Sequence, residues 1–160
     1  MPLRKDPIIL KSPAEIDLMR RSSVIVAEAL GVLKEMVRPG ITTLDLDAVA
    51  LEESARRKAK PAFKGYRGYP YCRCTSVNSE VVHGMPSDSV LQEGDILSID
   101  FGVLSDGFYG DSAVTVPVGN VTEDAARLIK ITAASLDAAI DMARVDNHLS
   151  DISAAVQQCV

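Results

Sequence analysis

The chain of 160 residues predicts an α+β fold, a single domain over 1–160 with helices on one face of a mainly antiparallel sheet. Three observations predict it. Two capped stretches of helical period open the chain, a β-hairpin pattern surrounds Asp100 and Asp111, and a third capped helical stretch begins at Thr122.

Ser12-Pro13-Ala14-Glu15 is a capping box with proline at the first helical position, and Ile16, Met19, Val26, Leu30, Leu33 and Val37 recur near helical spacing. Arg38-Pro39-Gly40 stops this helix. A second helix starts at Thr42 or Thr43, sets Leu46, Val49 and Ala50 on one side, and the chain turns at Lys60-Pro61. Its basic end, Arg56-Arg57-Lys58, reads as a solvated helix terminus that suits the negative end of the dipole. Beyond Gly65-Tyr66-Arg67-Gly68-Tyr69-Pro70, the run from Cys72 to Val77 reads as a strand, and Val81-Val82-His83-Gly84 puts His83 at a strand end. The third helix runs from Thr122-Glu123-Asp124 to about Ala143. Ser150 or Asp151 caps a fourth, and with no closing glycine or proline before Val160 this last helix reads as cut short.

A chain of this length buries roughly 70% of its unfolded surface, enough for one real core. An apolar content of 47% with 24% charged residues is ordinary for a globular protein, and a net charge of −5 argues against a general nucleic-acid surface. Met1-Pro2-Leu3-Arg4-Lys5-Asp6 has no apolar run behind it and no window approaches a membrane span, so the expected setting is the cytoplasm, with neither nucleic acid nor membrane as partner. Cys72, Cys74 and Cys159 lack zinc spacing and read as reduced thiols, with Cys72 and Cys74 on one strand face.

Chemistry concentrates in the hairpin. Ser98-Ile99-Asp100-Phe101-Gly102 and Tyr109-Gly110-Asp111-Ser112-Ala113 flank the turn signal Ser105-Asp106-Gly107. A two-residue loop at Ser105-Asp106 sets the two aspartates directly opposite, with Cβ atoms roughly 4.5–5.5 Å apart. A loop at Asp106-Gly107 offsets them diagonally on one face. A three-residue loop puts them on opposite faces unless a bulge at Gly110 restores parity. Solvated aspartates, or one capping the turn, are the plainer alternative. Because Ile96, Leu97, Ile99, Phe101 and Val103 make this a core strand, where an unpaired carboxylate is expensive, a shared metal ion is the economical reading. His83 is the second candidate, a ligand, carbonyl donor or proton shuttle; His148, ahead of a helix, reads as structural.

Tyr66-Arg67-Gly68-Tyr69-Pro70, then Ser76-Val77-Asn78 with Val81-Val82-His83-Gly84-Met85-Pro86, then Gly94-Asp95-Ile96-Leu97-Ser98-Ile99-Asp100, then Asp106-Gly107-Phe108-Tyr109-Gly110-Asp111, closely resemble the bacterial-type (type I) methionine aminopeptidase family, in order from about Ile8 to Val160. The resemblance implies the creatinase-like pita-bread fold, of which these residues are the first half and the N-terminal portion of a catalytic domain. It implies that Asp100 and Asp111 bind two divalent metal ions (Co, Mn, Fe, Zn or Ni), Asp100 through both oxygens and Asp111 as the bridge. It assigns to His83 the non-ligand histidine that contacts the scissile amide. Phe63, Tyr66, Tyr69 and Cys74 match the walls of a pocket for the methionine side chain, and Asn78 helps hold a monovalent cation through its backbone. The implied activity is removal of methionine from the N-terminus of a nascent polypeptide. A histidine and two glutamates of the family's ligand set have no matching positions; neither His148 nor Glu80, Glu93 and Glu123 supply them. The chain alone is therefore expected to be inactive, with the missing C-terminal half as a further partner. Two alternatives are a catalytically dead binding module of the creatinase fold and another metallopeptidase of the same fold.

Overall fold

The structure is a computed structural model that describes residues 8–160; the opening Met1–Asp6, read above for its lack of an apolar leader, lies outside them. Helix α1 (Pro13–Met36) begins at the expected box, with Glu15 N–H donating to Ser12 Oγ at 3.3 Å and Ser12 N–H donating to Glu15 Oε2 at 2.7 Å. Helix α2 (Thr43–Arg56) is capped the same way by Thr42 and Asp45. The side of α1 that enters the core starts at Ser22 and continues through Val26, Ala29, Leu30 and Leu33, while Ile16 and Met19, expected on that side, stay exposed where the helix overhangs the sheet.

Strands β1 (Lys60–Pro61), β2 (Arg73–Val77), β3 (Ile96–Ser105) and β4 (Phe108–Pro117) form one antiparallel sheet. β3 is its spine: β4 runs along one side, and β2 and the short β1 share the other. Lys60-Pro61 is thus a strand rather than only a turn. In β3 the odd-numbered Leu97, Ile99, Phe101 and Val103 are fully buried against α1 and α2, which turns Ser98 and Asp100 to the other face. A slip of one residue would expose all four apolar side chains at roughly 1.5–3 kcal/mol each, so core burial fixes which way Asp100 points.

Helix α3 (Glu123–Met142), capped by Thr122, and helix α4 (Leu149–Cys159) pack mainly on each other, with α3 reaching the sheet at β4. The α4 cap lies two or three residues before the expected one: it is His148, not Ser150 or Asp151, and its backbone N–H donates to Asp151 Oδ2 at 2.7 Å. Arg57 departs from the solvated helix end expected of it. Its guanidinium bridges Glu53 and, at 3.0 Å, Glu28 of α1, an acid 29 positions away that no local pattern reveals. Among the described residues no helix is long and apolar enough to cross a membrane.

Candidate active site

The hairpin turn settles the geometry that the sequence left open. Asp106 and Gly107 have φ of 49° and 83°, the two positive values that a two-residue type I′ turn requires. With the loop there, Asp100 faces Ala113 and Asp111 faces Gly102, so the aspartates are not directly opposite but diagonal on one face. Diagonal Cβ atoms lie roughly 7–8 Å apart, a gap that side chains of this length bridge when they lean together. Both carboxyls line one cavity, and the Asp111 charge bears on Asp100. Burial, reinforced by the Asp111 carboxylate, pushes Asp100 up to about 6, with His83 pulling the other way.

On the other side of Asp100 stands Cys74 of β2, its register partner. Burial raises the Cys74 thiol and the two aspartates push in the same direction, so it is a buried neutral wall and not a thiolate. Cys72 does not share that face. It precedes β2, packs in the core, takes its N–H to Asp47 Oδ1 at 2.9 Å, and has its thiol pushed up to about 11 by burial.

His83 lies in a loop, not at a strand end, with φ of 61°. The loop is fastened along β2: Thr75 N–H donates to the Gly84 carbonyl at 2.8 Å and Gly84 N–H donates to Ser76 Oγ at 3.1 Å. A Cβ at Gly84 would stand 2.2 Å from the Thr75 oxygen, so glycine is what allows this approach, and the approach is what delivers His83 beside Asp100.

The fourth wall is the segment 63–70. A single 3-10 turn over Tyr66–Gly68, preceded by Gly65 (φ 86°) and ending on Gly68 (φ 84°), carries the Tyr66 ring, with the Arg67 guanidinium 5.4 Å from its centroid. Tyr69 donates its hydroxyl to the Arg73 carbonyl at 2.9 Å and meets Tyr71 edge-on at 6.0 Å. Phe63 fits because Gly102 has no side chain; a Cβ there would reach 2.9 Å from its ring.

These parts enclose one cavity of about 710 Å³ that brings together Phe63, Tyr66, Tyr69, Cys74, His83, Asp100 and Asp111. Arg67 and Met85 also line it, without having been singled out by sequence; both sit inside quoted motifs, one beside Tyr66 and one two residues after His83. Asn78 is not part of it. Its amide is occupied at the far end of β2, donating to Asp95 Oδ1 at 2.8 Å and accepting from Ile96 N–H at 3.0 Å. A second groove of about 450 Å³ shares His83 and Asp100 and runs between the sheet and α3. Among the described residues no group of three or more histidine, cysteine, aspartate or glutamate side chains comes together to hold a metal.

The model of metallopeptidase family M24 matches residues 17–160. A methionine aminopeptidase of Clostridium perfringens is 51% identical over 153 residues, covering 96% of this chain and 61% of that protein. Methionine aminopeptidase 1 of Bacillus subtilis is 44% identical over 153 residues, again covering 96% of this chain and 62% of that protein. The crystal structure of the methionine aminopeptidase from Thermotoga maritima superposes with a TM-score of 0.93 at 42% identity, over 96% of this chain and 62% of that one. Prolidase from Pyrococcus furiosus, at 20% identity and a TM-score of 0.83, shares the fold alone. The α+β, creatinase-like fold expected from the sequence is the one these structures have. The chain spans about three fifths of the length of the curated relatives it matches.

Proposed function

The chain belongs to metallopeptidase family M24, and from that premise we propose that residues 1–160 are the N-terminal portion of the catalytic domain of a methionine aminopeptidase, which removes methionine from nascent chains. The observation that carries this reading is the pair of carboxyls, Asp100 and Asp111, on one face of the hairpin and lining an aromatic-walled cavity that His83 also lines. Identity of 51% to a methionine aminopeptidase, against 20% to a prolidase, favours methionine over a proline-directed substrate.

The donor set fits divalent ions. A carboxyl such as Asp100, whose ionisation burial and a neighbouring charge make costly, gains from a cation beside it, and oxygen donors on one face suit a shared pair of ions completed by ligands from outside these residues. Divalent ions, when bound, polarise a peptide carbonyl and supply a nucleophilic water at neutral pH. The rest falls to the protein. Phe63, Tyr66, Tyr69, Cys74 and Met85 form an apolar sleeve for an unbranched thioether side chain, and the neutral Cys74 thiol keeps charge out of it. The Tyr69 hydroxyl is spent on the Arg73 carbonyl, so its contribution is a fixed ring. His83, held beside Asp100, offers a ring N–H to the scissile carbonyl. Asn78 acts away from the cavity, through its backbone, on a monovalent cation. A nascent-chain substrate sets the reaction in the cytoplasm.

A binding module without catalysis has one observation in its favour, the lack of a third ligand among the described residues. Against it stands the cost of keeping two carboxyls together with nothing for them to hold. Paramagnetic relaxation by Mn²⁺ tests the proposal: amide broadening is expected around residues 74, 83, 100 and 111, and titrated Met-Ala-Ser is expected to shift Tyr66 and Tyr69. Broadening centred elsewhere, or no response of the tyrosines, would overturn it.

A further inference from the structure

We propose that Glu80 is a positioning residue for His83, a role that rests on the reading of His83 above: its carboxylate fastens the loop 78–84 to β2 and keeps the imidazole at the cavity. Two left-handed residues shape this loop, Asn78 with φ of 52° and His83 with φ of 61°. A free chain seldom adopts either conformation, so each persists only where contacts around it fix it.

The contacts come from β2. This strand pairs with β3 on one side only, and on the other it offers the amides of Thr75 and Val77, two residues apart, to the loop. Thr75 N–H takes a main-chain partner, the Gly84 carbonyl, at 2.8 Å. Val77 N–H takes a side chain: it donates to Glu80 Oε2 at 2.8 Å, and Glu80 N–H donates back to the Val77 carbonyl at 3.1 Å. A Cβ at Gly84 would stand 2.7 Å from the same Oε2, so one carboxylate oxygen spans the neck of the loop from Val77 to Gly84. Among the described residues, Glu80 is the one position between Asn78 and Gly84 that makes a hydrogen bond. Ser79, Val81, Val82 and His83 are therefore placed by Glu80 and by the two anchored ends. A bond from an amide to a carboxylate is roughly twice as strong as a neutral one, which suits a single fastening. The consequence for the reaction is orientation, since a misplacement of about 1 Å in a group that must meet the scissile carbonyl costs on the order of a hundredfold in rate.

Backbone nitrogen relaxation of the metal-free 160-residue chain, followed by addition of Mn²⁺, tests this, with circular dichroism confirming that each variant is folded. In wild type the amides of residues 79–83 should be as ordered as those of β2, with order parameters near ~0.85. Glu80→Ala should drop them below about 0.6, move the Val77 amide proton upfield, and cut Mn²⁺ broadening of the His83 ring about threefold or more while that at residues 100 and 111 stays. Glu80→Gln keeps an oxygen for the Val77 N–H and should remain close to wild type in all three readings. A loop already mobile in wild type, a Glu80→Ala loop as ordered as wild type, or a Glu80→Gln loop as mobile as that of Glu80→Ala would overturn the proposal. The order parameters and the Val77 shift are read without metal, so a failure here is distinct from a failure of the aminopeptidase reading, which Mn²⁺ broadening at residues 74, 100 and 111 decides.

Discussion

Asp100→Asn should stabilise the metal-free chain at neutral pH and weaken it relative to wild type when divalent ions are present. Asp100 moves from an ordinary value of 3.8 up to about 6 on folding. A shift of about two units sets an upper bound of roughly 3 kcal/mol on the cost of ionising it in the fold. Asp100 is only half-buried, and solvent screening brings the expected effect nearer to about 1 kcal/mol. The sign follows from proton binding: between the unfolded and folded values the folded chain holds more protons, so this group's contribution is intact below about 4 and is lost as pH rises through about 6. Asparagine resembles the protonated form and escapes that loss. Thermal melts in EDTA should therefore show the variant about 2–4 °C above wild type at pH 7.5 and level with it at pH 4. Comparing the two chains cancels every other titrating group. Adding Mn²⁺ at pH 7.5 should reverse the order, because wild type alone keeps both carboxylates. A variant that melts below wild type in EDTA at pH 7.5, or a difference indifferent to pH, would refute the claim that ionising Asp100 is costly in the metal-free fold.

The remaining expectations are independent of that pair. Gly110→Ala drives a Cβ to 2.5 Å from the Ser22 backbone, where α1 rests on β4, and should cost about 1–3 kcal/mol in urea denaturation; an unchanged midpoint would show that the helix gives way freely. Arg73 is fully buried and pushed down to about 10 by burial; among the described residues its Nε and Nη1 find no partner, and Nη2 donates to the Thr43 carbonyl at 2.9 Å. Arg73→Met should accordingly be neutral or stabilising, whereas Arg73→Ala should lose roughly 2–4 kcal/mol to the cavity it leaves; equal losses in the two would count against the reading. Purified free of host enzyme, the chain should release no methionine from Met-Ala-Ser, and calorimetry should find only weak divalent binding. Turnover, or two tight ions per chain, would contradict the half-site.

Much of this architecture was written in local signals. Ser12 with Glu15, Thr42 with Asp45, and Thr122 each mark a helix start through a side chain that takes up a free N–H, and each is where the structure starts a helix. The hairpin was legible but its register was not, since Ser-Asp and Asp-Gly are both turn dipeptides. The choice between them rests on the positive φ at two successive residues, which Asp106-Gly107 accommodates more readily. The aspartates share a face with either dipeptide as the loop, so the site did not depend on the choice between them. Other readings failed where distant residues decide. Val81 and Val82 have the composition of a strand, yet the chain beside β2 approaches it at Gly84 and leaves them in a loop. The α4 cap was misjudged because Asp151 acts from inside the first turn, reaching back to the His148 N–H, and not as the cap itself. Cys72 was assigned to a strand that begins one residue later.

The amide of Thr75 makes a clock of the loop that carries His83. Its hydrogen is held by the Gly84 carbonyl, one residue past the histidine, at 2.8 Å. The loop cannot lift away from β2 without handing that hydrogen to solvent. The deuterium uptake of one mid-strand amide, usually among the slowest in a sheet, therefore reports how often the imidazole leaves its post, on the minutes-to-hours scale that exchange resolves.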